Sequence, residues 1–388
     1  MAETKRKREI TVEAHGSFDA VRSLFDRATD LEDAPFLSSA WLGALESTGC
    51  VSPERGWVPH HIAIKLGDET VAVAPAYLKL NSEGEFVFDH GWANAARRAG
   101  IEYFPKLLVA VPFTPATSQR LVVMPGADVA SASAAFVAAT EAIVEKTELS
   151  SAHVLFTPRK EAERYAQLGM LHRHGVQFHW ENRGYATFED FLSDLPSKKR
   201  TQIRREMRAP AEQGITIETL TGDALTPEIA DVAYALYLTT VDKFIWGRRY
   251  LKRAFFEEVM SSMPNGIELV VARETGTKKI FACAFNLRGS RTLFGRYWGT
   301  TKDVPFLHFN VCFYHSIERA ILLGLQRFEP GAGGEHKVSR GFRPTITHST
   351  HLVRDPRLAA AIEDFCQRER RAITLELGAT EAPDQGGG

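Results

Sequence analysis

The segment "IELVVARETGTKKIFACAFNLRG", residues 267–289, joins two runs of apolar and β-branched residues through Thr275-Gly276. This pattern predicts a β-hairpin, and "RTLFGRYWG", which follows it, predicts a further strand. The next segment, 306–325, repeats apolar residues every four positions from Phe309 to Ile321 and stops at Gly324. It predicts a long helix with one buried stripe, so the second half of the chain is of the α+β class.

The regions on either side of this segment also show regular patterns. Helices are predicted at about 187–195, 198–213, 226–241 and 249–260, and two strands and a closing helix after residue 325. The first half shows a related order. It begins with two helices, continues with a hairpin that turns at Gly67-Asp68, and then alternates strands with helices.

The two halves share one local pattern. "VAVAPAYLKL…FVFDHGW", within 71–92, and "IFACAFNLRG…LFGRYWG", within 280–299, both read as a hairpin followed by an aromatic strand. We therefore predict a duplication, with domains at 10–182 and 183–375 and a disordered tail at 376–388. Coincidence between two unrelated mixed domains is the alternative.

Composition is typical of a globular protein: 44% hydrophobic and 24% charged residues with a net charge of −1. No window reaches 18 uninterrupted apolar residues, and the N-terminus lacks the apolar run of a signal peptide. The four cysteines never approach a C-x-x-C spacing. We therefore predict a cytoplasmic protein with no membrane insertion, no DNA binding, no metal and no bound cofactor.

The stretch "FEPGAGGEHKVSRGFRPTITHS", residues 328–349, is the main candidate site. Three glycines within positions 331–334 allow a backbone to approach a ligand. Cations follow at spacings of three, at Lys337, Arg340 and Arg343, and suit a phosphate or carboxylate. Glu335 or His336 is placed to take a proton from an amine. A solvated turn with favourable charges is the alternative interpretation.

Aromatic residues near strand ends form a second group of candidates. In "GRYWG", strand alternation predicts Arg296 and Trp298 on one face and Tyr297 on the other. The remaining residues predicted to bind substrate are Asp89 and Trp92 in "FDHGW", Phe113 and Thr114 in a rigid proline turn, Gln177, His179 and His308. Core packing is the structural alternative for the aromatic residues and His179. A helix cap is the alternative for His308.

A basic segment at 198–208 is the third candidate. It holds six cations in eleven positions, and only Glu206 opposes them. Such density attracts polyanions, although charge runs on helices are usually solvated surface. Contact with tRNA or a phosphate is predicted through Lys198, Arg200, Arg204 and Arg208.

Several of these motifs resemble a known family. "SKKRTQIRREMRAPAEQGITI" resembles the basic helix that opens the second GNAT-like domain of the Fem family, the aminoacyl-tRNA-dependent peptidyltransferases. "GAGGEHKVSRGF" resembles the Gly…Lys…Gly-Phe segment of the same proteins. "FDHGWANAARRAG" and "GRYWGTTKDVPFLHFNVCFYHSIE" look like the bacterial Fem-like predicted N-acyltransferases, and the resemblance covers about 15 to 373.

The resemblance implies two tandem GNAT-like domains, each a mixed, mostly antiparallel sheet flanked by helices. It also implies transfer of an acyl or aminoacyl group to a small amine acceptor, which we expect to bind in an interdomain cleft. The chain lacks the Arg/Gln-x-x-Gly-x-Gly/Ala loop that binds the pyrophosphate of acetyl-CoA in many GNAT enzymes. The expected donor is therefore aminoacyl-tRNA or an acyl thioester, carried by an acyl carrier or by CoA. A non-catalytic protein that recognises a cell-wall precursor or RNA is the alternative.

Overall fold

The computed structural model describes residues 10–28, 31, 33–243 and 249–381, with the side chains of 335 and 378–381 outside the description. The strands are β1 Ile10–His15, β2 Trp57–Pro59, β3 His61–Leu66, β4 Glu69–Ala74, β5 Ala76–Lys79, β6 Lys106–Val109, β7 Val122–Val123, β8 Ser151–Thr157, β9 Leu171–Glu181, β10 Ile215–Leu220, β11 Ile267–Glu274, β12 Ile280–Arg288, β13 Thr292–Thr300, β14 Arg327–Glu329 and β15 Arg343–Val353.

The helices alternate with these strands. They are α1 Arg22–Arg27, α2 Ser39–Ser47, α3 His90–Arg98, α4 Val129–Lys146, α5 Arg159–Gln167, α6 Phe188–Ser193, α7 Ser197–Glu212, α8 Pro227–Val241, α9 Arg253–Ser262, α10 Leu307–Phe309, α11 His315–Leu322 and α12 Pro356–Glu381. A π-helical turn, Asn310–Tyr314, joins α10 to α11, so the predicted long helix is continuous but irregular. None of the helices in the described ranges combines the length and hydrophobicity needed to cross a bilayer.

The chain divides into two compact units that are not contiguous in sequence. Among the described residues, the first unit contains 10–28, 51–176 and 346–381, and the second contains those from 31 to 50 and from 177 to 345. The predicted ranges 10–182 and 183–375 therefore differ from these units in three segments, 31–50, 177–182 and 346–375. Residues 376–381, predicted to lie in a tail, continue α12, whereas 382–388 lie outside the described residues.

The first unit contains two sheets. One has the order β1-β3-β4-β7, and the other places β15, β8, β6, β5 and β2 side by side. The main core packs β3, β6 and β8 with α4. Ile62, Leu107, Val154 and Phe136, one from each of these elements, are fully buried in it. A second core packs Trp92 and Ala96 of α3 with Leu358 and Ile362 of α12.

The second unit contains the order β10-β11-β12-β13-β14, with the end of β9 beside β14. All neighbours are antiparallel except β13 and β14, which pair in parallel from Thr292 with Arg327 to Phe294 with Glu329. Residues 31–50 belong to this unit through specific contacts. The Asp33 carboxylate accepts hydrogen bonds from the backbone of Arg291 and Thr292, and Trp41 packs edge-on against Phe255.

The predicted aromatic strand at "EFVFDHGW" is wrong. Residues 90–98 form α3 instead, because Trp92 and Ala96, four positions apart, are buried on one helical face. The repeat that suggested a duplication therefore has a strand, β13, in the second half and a helix in the first. Strands β1 and β10 were not predicted, because three of the six residues in each are polar and only one of the twelve, Ile215, is buried.

Close backbone packing in the second unit generates a stability prediction. A Cβ added at Gly299 of β13 would lie 1.8 Å from the carbonyl oxygen of Leu236 in α8, which cannot move independently of its helix. We expect Gly299→Ala to destabilise this unit by about 1–3 kcal/mol or more through overpacking, measured as a lower melting temperature. Gly91→Ala is the control, because nothing lies within 4 Å of its added Cβ. Equal melting temperatures for the two variants would contradict the prediction.

Candidate active site

A pocket of about 200 Å³ lies in the second unit, where β13 and β14 stop pairing. The parallel ladder ends at Phe294 and Glu329. Beyond it β13 continues to Thr300, whereas the chain leaves β14 through Pro330. The lining residues come from β12, β13, the π-helical turn region and the loop after β14: Ala284, Asn286, Gly295, Arg296, Tyr297, Trp298, His308, Cys312, Phe313, Pro330, Ala332, Gly333, Gly334, His336 and Lys337.

A β-bulge shapes the wall formed by β13. Phe285 of β12 faces Tyr297 and the next residue, Asn286, faces Gly295, so Arg296 is an extra residue on β13. A bulge interrupts the alternation of side chains and bends the strand. The expected grouping of Arg296 with Trp298 is therefore wrong. The Arg296 guanidinium packs over Tyr297, which contacts Tyr237 and Phe256, whereas Trp298 packs against His308.

The opposite wall is the glycine loop, residues 330–341. Gly331, Gly333 and Gly334 have φ angles of 88°, 76° and 94°, a region that other residues rarely adopt. This backbone requirement explains the glycine cluster. After it, a short 3₁₀ helix, Glu335–Arg340, carries His336 and Lys337 to the pocket.

Lys337 is the buried cation of the pocket. Its side chain is 4% exposed, and Nζ donates a hydrogen bond to the Gly331 carbonyl oxygen at 2.7 Å. Burial lowers the pKa of Lys337 to about 8, with Cys312 acting in the opposite direction. The ammonium is therefore charged at neutral pH but loses its proton only slightly above it.

Two histidines lie beside Lys337. The His308 ring packs edge-on against Trp298 at 5.2 Å and lies 6.1 Å from the ring of the exposed His336. Burial, reinforced by His336, Lys337 and Arg340, lowers the pKa of His308 to about 4, so this ring is neutral at physiological pH. The predicted alternative that His308 caps the helix is wrong, because Phe306 occupies the N-cap position.

Arg340 has a structural role. Its guanidinium donates to both carboxylate oxygens of Glu206 on α7, at 3.0 and 3.1 Å from Nη2, and packs over Phe309. Tyr314 of the π-helical turn donates to the same carboxylate. Arg340 therefore anchors the glycine loop to the helix bearing Glu206. The side chain of Glu335 lies outside the described residues, and Arg343 is exposed at the start of β15.

The other predicted substrate-binding residues lie outside this pocket. His179 is buried 3.3 Å from Gln177 and 3.9 Å from Glu329, and burial lowers its pKa to about 3. The remaining four belong to the first unit and are buried there. Asp89 accepts from Lys106 and Tyr103, Trp92 lies in the core, Phe113 packs against Trp57, and Thr114 donates to Pro112. The expected binding of an acceptor between domains stays a prediction.

The basic segment forms α7, with Glu206 facing inward and most cations outward. Lys198 is exposed, and Arg200 donates to the Leu195 carbonyl at 2.7 Å. Arg204 pairs with Glu189 at 2.6 Å and Arg208 lies 3.9 Å from Glu212. The exposed face is therefore less unbalanced than the sequence count suggested.

Several lining residues were not predicted from the sequence, among them Asn286, Cys312 and Phe313. The buried amide of Asn286 donates to Ser316 at 3.1 Å, and burial raises the pKa of Cys312 well above its usual range. Phe313 belonged to the apolar stripe of the predicted helix. Its spacing indicated burial but not that the π-helical turn brings it to a pocket.

Comparison with known proteins agrees with this architecture. Residues 15–383 match the model of the FemAB-like family, described as peptidoglycan biosynthesis/recognition. The chain belongs to this family. No curated protein sequence shows significant similarity to the chain.

Solved structures support the same fold for this FemAB-like protein. FemX is 12% identical, with a TM-score of 0.51 over 90% of this chain and 100% of FemX. L-PGS from Bacillus licheniformis is 9% identical, with a TM-score of 0.50 over 78% and 87%. A DUF2156 domain from Agrobacterium fabrum is 14% identical, with a TM-score of 0.52 over 88% and 95%. The predicted α+β fold, with mixed sheets flanked by helices, is confirmed.

The environment of Lys337 predicts unusual amine reactivity. Amines react with small acylating reagents only when deprotonated, so we expect half-maximal labelling of Lys337 near pH 8. The pH dependence is measured by mass spectrometry of the peptide, with free Nα-acetyl-lysine, which titrates near 10.4, as the reference. Lys337→Arg is the matched control and removes the signal. If Lys337 were half-maximally labelled at the same pH as free Nα-acetyl-lysine, the lowered pKa of Lys337 would be contradicted.

Proposed function

We propose that this FemAB-like protein transfers an acyl or aminoacyl group to an amine, with the pocket beside β13 as the reaction site. The observation that carries the proposal is the buried Lys337 ammonium, which the Gly331 carbonyl holds in a pocket also lined by Arg296, the neutral His308 and aromatic residues. A charge at such a position stabilises a developing oxyanion more strongly than it would in water.

In the proposed reaction, the neutral amine nitrogen attacks the carbonyl carbon of an ester or thioester. A C–N bond forms, negative charge develops on the carbonyl oxygen near Lys337, and the C–O or C–S bond then breaks. The amine loses a proton, for which the exposed imidazole of His336 is the proposed acceptor. The leaving hydroxyl or thiol takes up one proton, so the atoms balance. Glu335 stays a predicted alternative base.

An aminoacyl ester of tRNA is the proposed donor. The chain lacks the glycine-rich pyrophosphate loop before α10, and Lys198, Arg204 and Arg208 on α7 are exposed. Acyl-CoA is the other expected class of donor, so the screen includes both donors. The description of the family also includes recognition, which favours a non-catalytic binding protein as the second candidate.

Lys337 variants test the transfer reaction. Incubation with labelled aminoacyl-tRNA or acyl-CoA and a panel of amines is expected to give labelled amide, and Lys337→Met is expected to lower turnover about 10²–10³-fold through loss of the oxyanion donor. Because Lys337 loses its proton as pH rises through about 8, wild-type turnover is expected to fall above that pH. Lys337→Arg is expected to remove this decline.

The exposed Lys278 provides the control for this assay, and Lys278→Met is expected to retain wild-type turnover. Full activity of Lys337→Met would refute the role of Lys337. Donor binding without labelled amide across the whole panel would favour the recognition protein instead.

The basic face of α7 is tested by tRNA binding. Replacing Arg204 and Arg208 by Ala is expected to weaken binding and reduce the slope of log K against log salt by about 0.7–0.9 for each lost phosphate contact. Arg253→Ala with Arg368→Ala is the matched control, since these arginines also form exposed ion pairs on helices. An identical loss of tRNA affinity in both double variants would show that α7 has no specific role in tRNA binding.

A further inference from the structure

Three histidines converge in the first unit. His172 and His174 lie two positions apart on β9, so their side chains share one face of the strand. His348 lies on β15, which is next to β9 in the sheet order. None of the three lines the pocket of the second unit.

The three rings are close enough to share one ion. Nε2 of His172 lies 3.0 Å from Nδ1 of His348, and one nitrogen from each ring lies within 4.8 Å of the others. The ring centroids are 4.8, 5.1 and 5.2 Å apart. An ion with Zn–N bonds of about 2.0–2.1 Å needs nitrogens about 3.4 Å apart, which small side-chain rotations from these positions provide.

Burial gives a second reason to expect a ligand. His348 is 9% exposed, and the other two rings are half-buried. Nδ1 of His174 is buried and has no hydrogen-bond partner among the described residues. Because buried polar nitrogens are nearly always satisfied, this atom needs a partner that the protein groups around it do not supply.

The surrounding charges are mixed. The Glu163 carboxylate on α5 interacts electrostatically with both His172 and His348. Two arginines lie nearby, but both are engaged. Arg159 donates to Glu163 at 2.7 Å, and Arg370 donates to the His172 carbonyl oxygen at 2.6 Å.

We propose that His172, His174 and His348 form a binding site for a divalent transition-metal ion of the Zn²⁺ class. Imidazole nitrogen suits zinc, whereas magnesium and calcium prefer oxygen ligands. Three ligands leave the fourth tetrahedral position for water. The bound ion would connect β9 to β15 within the first unit, which indicates a structural role separate from the transfer chemistry.

Cysteine spacing gave no indication of a metal site, and no metal was predicted from the sequence. A pair of histidines on one strand is a weak signal, and the third ligand follows 174 positions later. Only the adjacency of β9 and β15 brings the set together.

The test uses full-length, tag-free protein dialysed against chelator. We expect one equivalent of Zn²⁺ to bind by calorimetry, and Co²⁺ as a probe to give the visible absorption of a tetrahedral site. His174→Gln and His348→Gln each keep a polar side chain, and each is expected to weaken Zn²⁺ binding at least about tenfold, the lower limit seen for loss of outer-shell partners.

His90→Gln is the matched control, because His90 is an exposed histidine of the same unit, and it is expected to bind Zn²⁺ like the wild type. Melting curves in chelator show whether each variant folds. Zn²⁺ is expected to raise the melting temperature of the wild type and the control but not of the two site variants. Equal zinc affinity in all four proteins would overturn the proposal, as would the absence of binding by the folded wild type.

Discussion

The buried Glu206 carboxylate is the interaction on which the candidate site depends. It accepts hydrogen bonds from Arg340 of the glycine loop, Tyr314 of the π-helical turn and Gln202 of its own helix. The Asn310 amide donates to the Glu206 backbone carbonyl. One residue therefore joins α7, the irregular helix and the glycine loop, and a buried charge that lost these partners would be strongly destabilising. Lys337, three residues before Arg340, takes its position from this anchor.

Local patterns predicted the elements that have a clear period. The hairpin at 267–289 and the apolar stripe from Phe309 both depend on neighbours in sequence. The sequence also identified the glycine loop, because its backbone needs glycine. It did not distinguish Arg340, a structural cation, from Lys337, a pocket cation, because the difference is set by Glu206, 134 positions from Arg340.

Long-range pairing explains the remaining differences. Segment 31–50 packs with residues near 255 and 291, and β15 returns to pair with β8, so the compact units are interleaved in sequence. Asp89 and its neighbours illustrate the same limit. Asp89 was predicted to bind substrate, whereas in the structure it accepts hydrogen bonds from Lys106 and Tyr103 in a buried cluster. Residue type alone does not separate these two roles.

The size and charge of the pocket bear on the class of donor. A volume of about 200 Å³ is below the roughly 300–1,000 Å³ typical of sites that enclose a drug-sized ligand, so it suits an acyl group and an amine rather than a whole nucleotide cofactor. A pyrophosphate is normally held by several backbone N–H groups at a helix N-terminus. Here Lys337 is the buried cation of the pocket, and burial lowers its pKa to about 8. Arg296 also lines the pocket, but its guanidinium packs over Phe36 and Tyr297. This arrangement matches one developing oxyanion better than a permanent double charge, and it leaves the rest of a large donor to be bound outside the pocket.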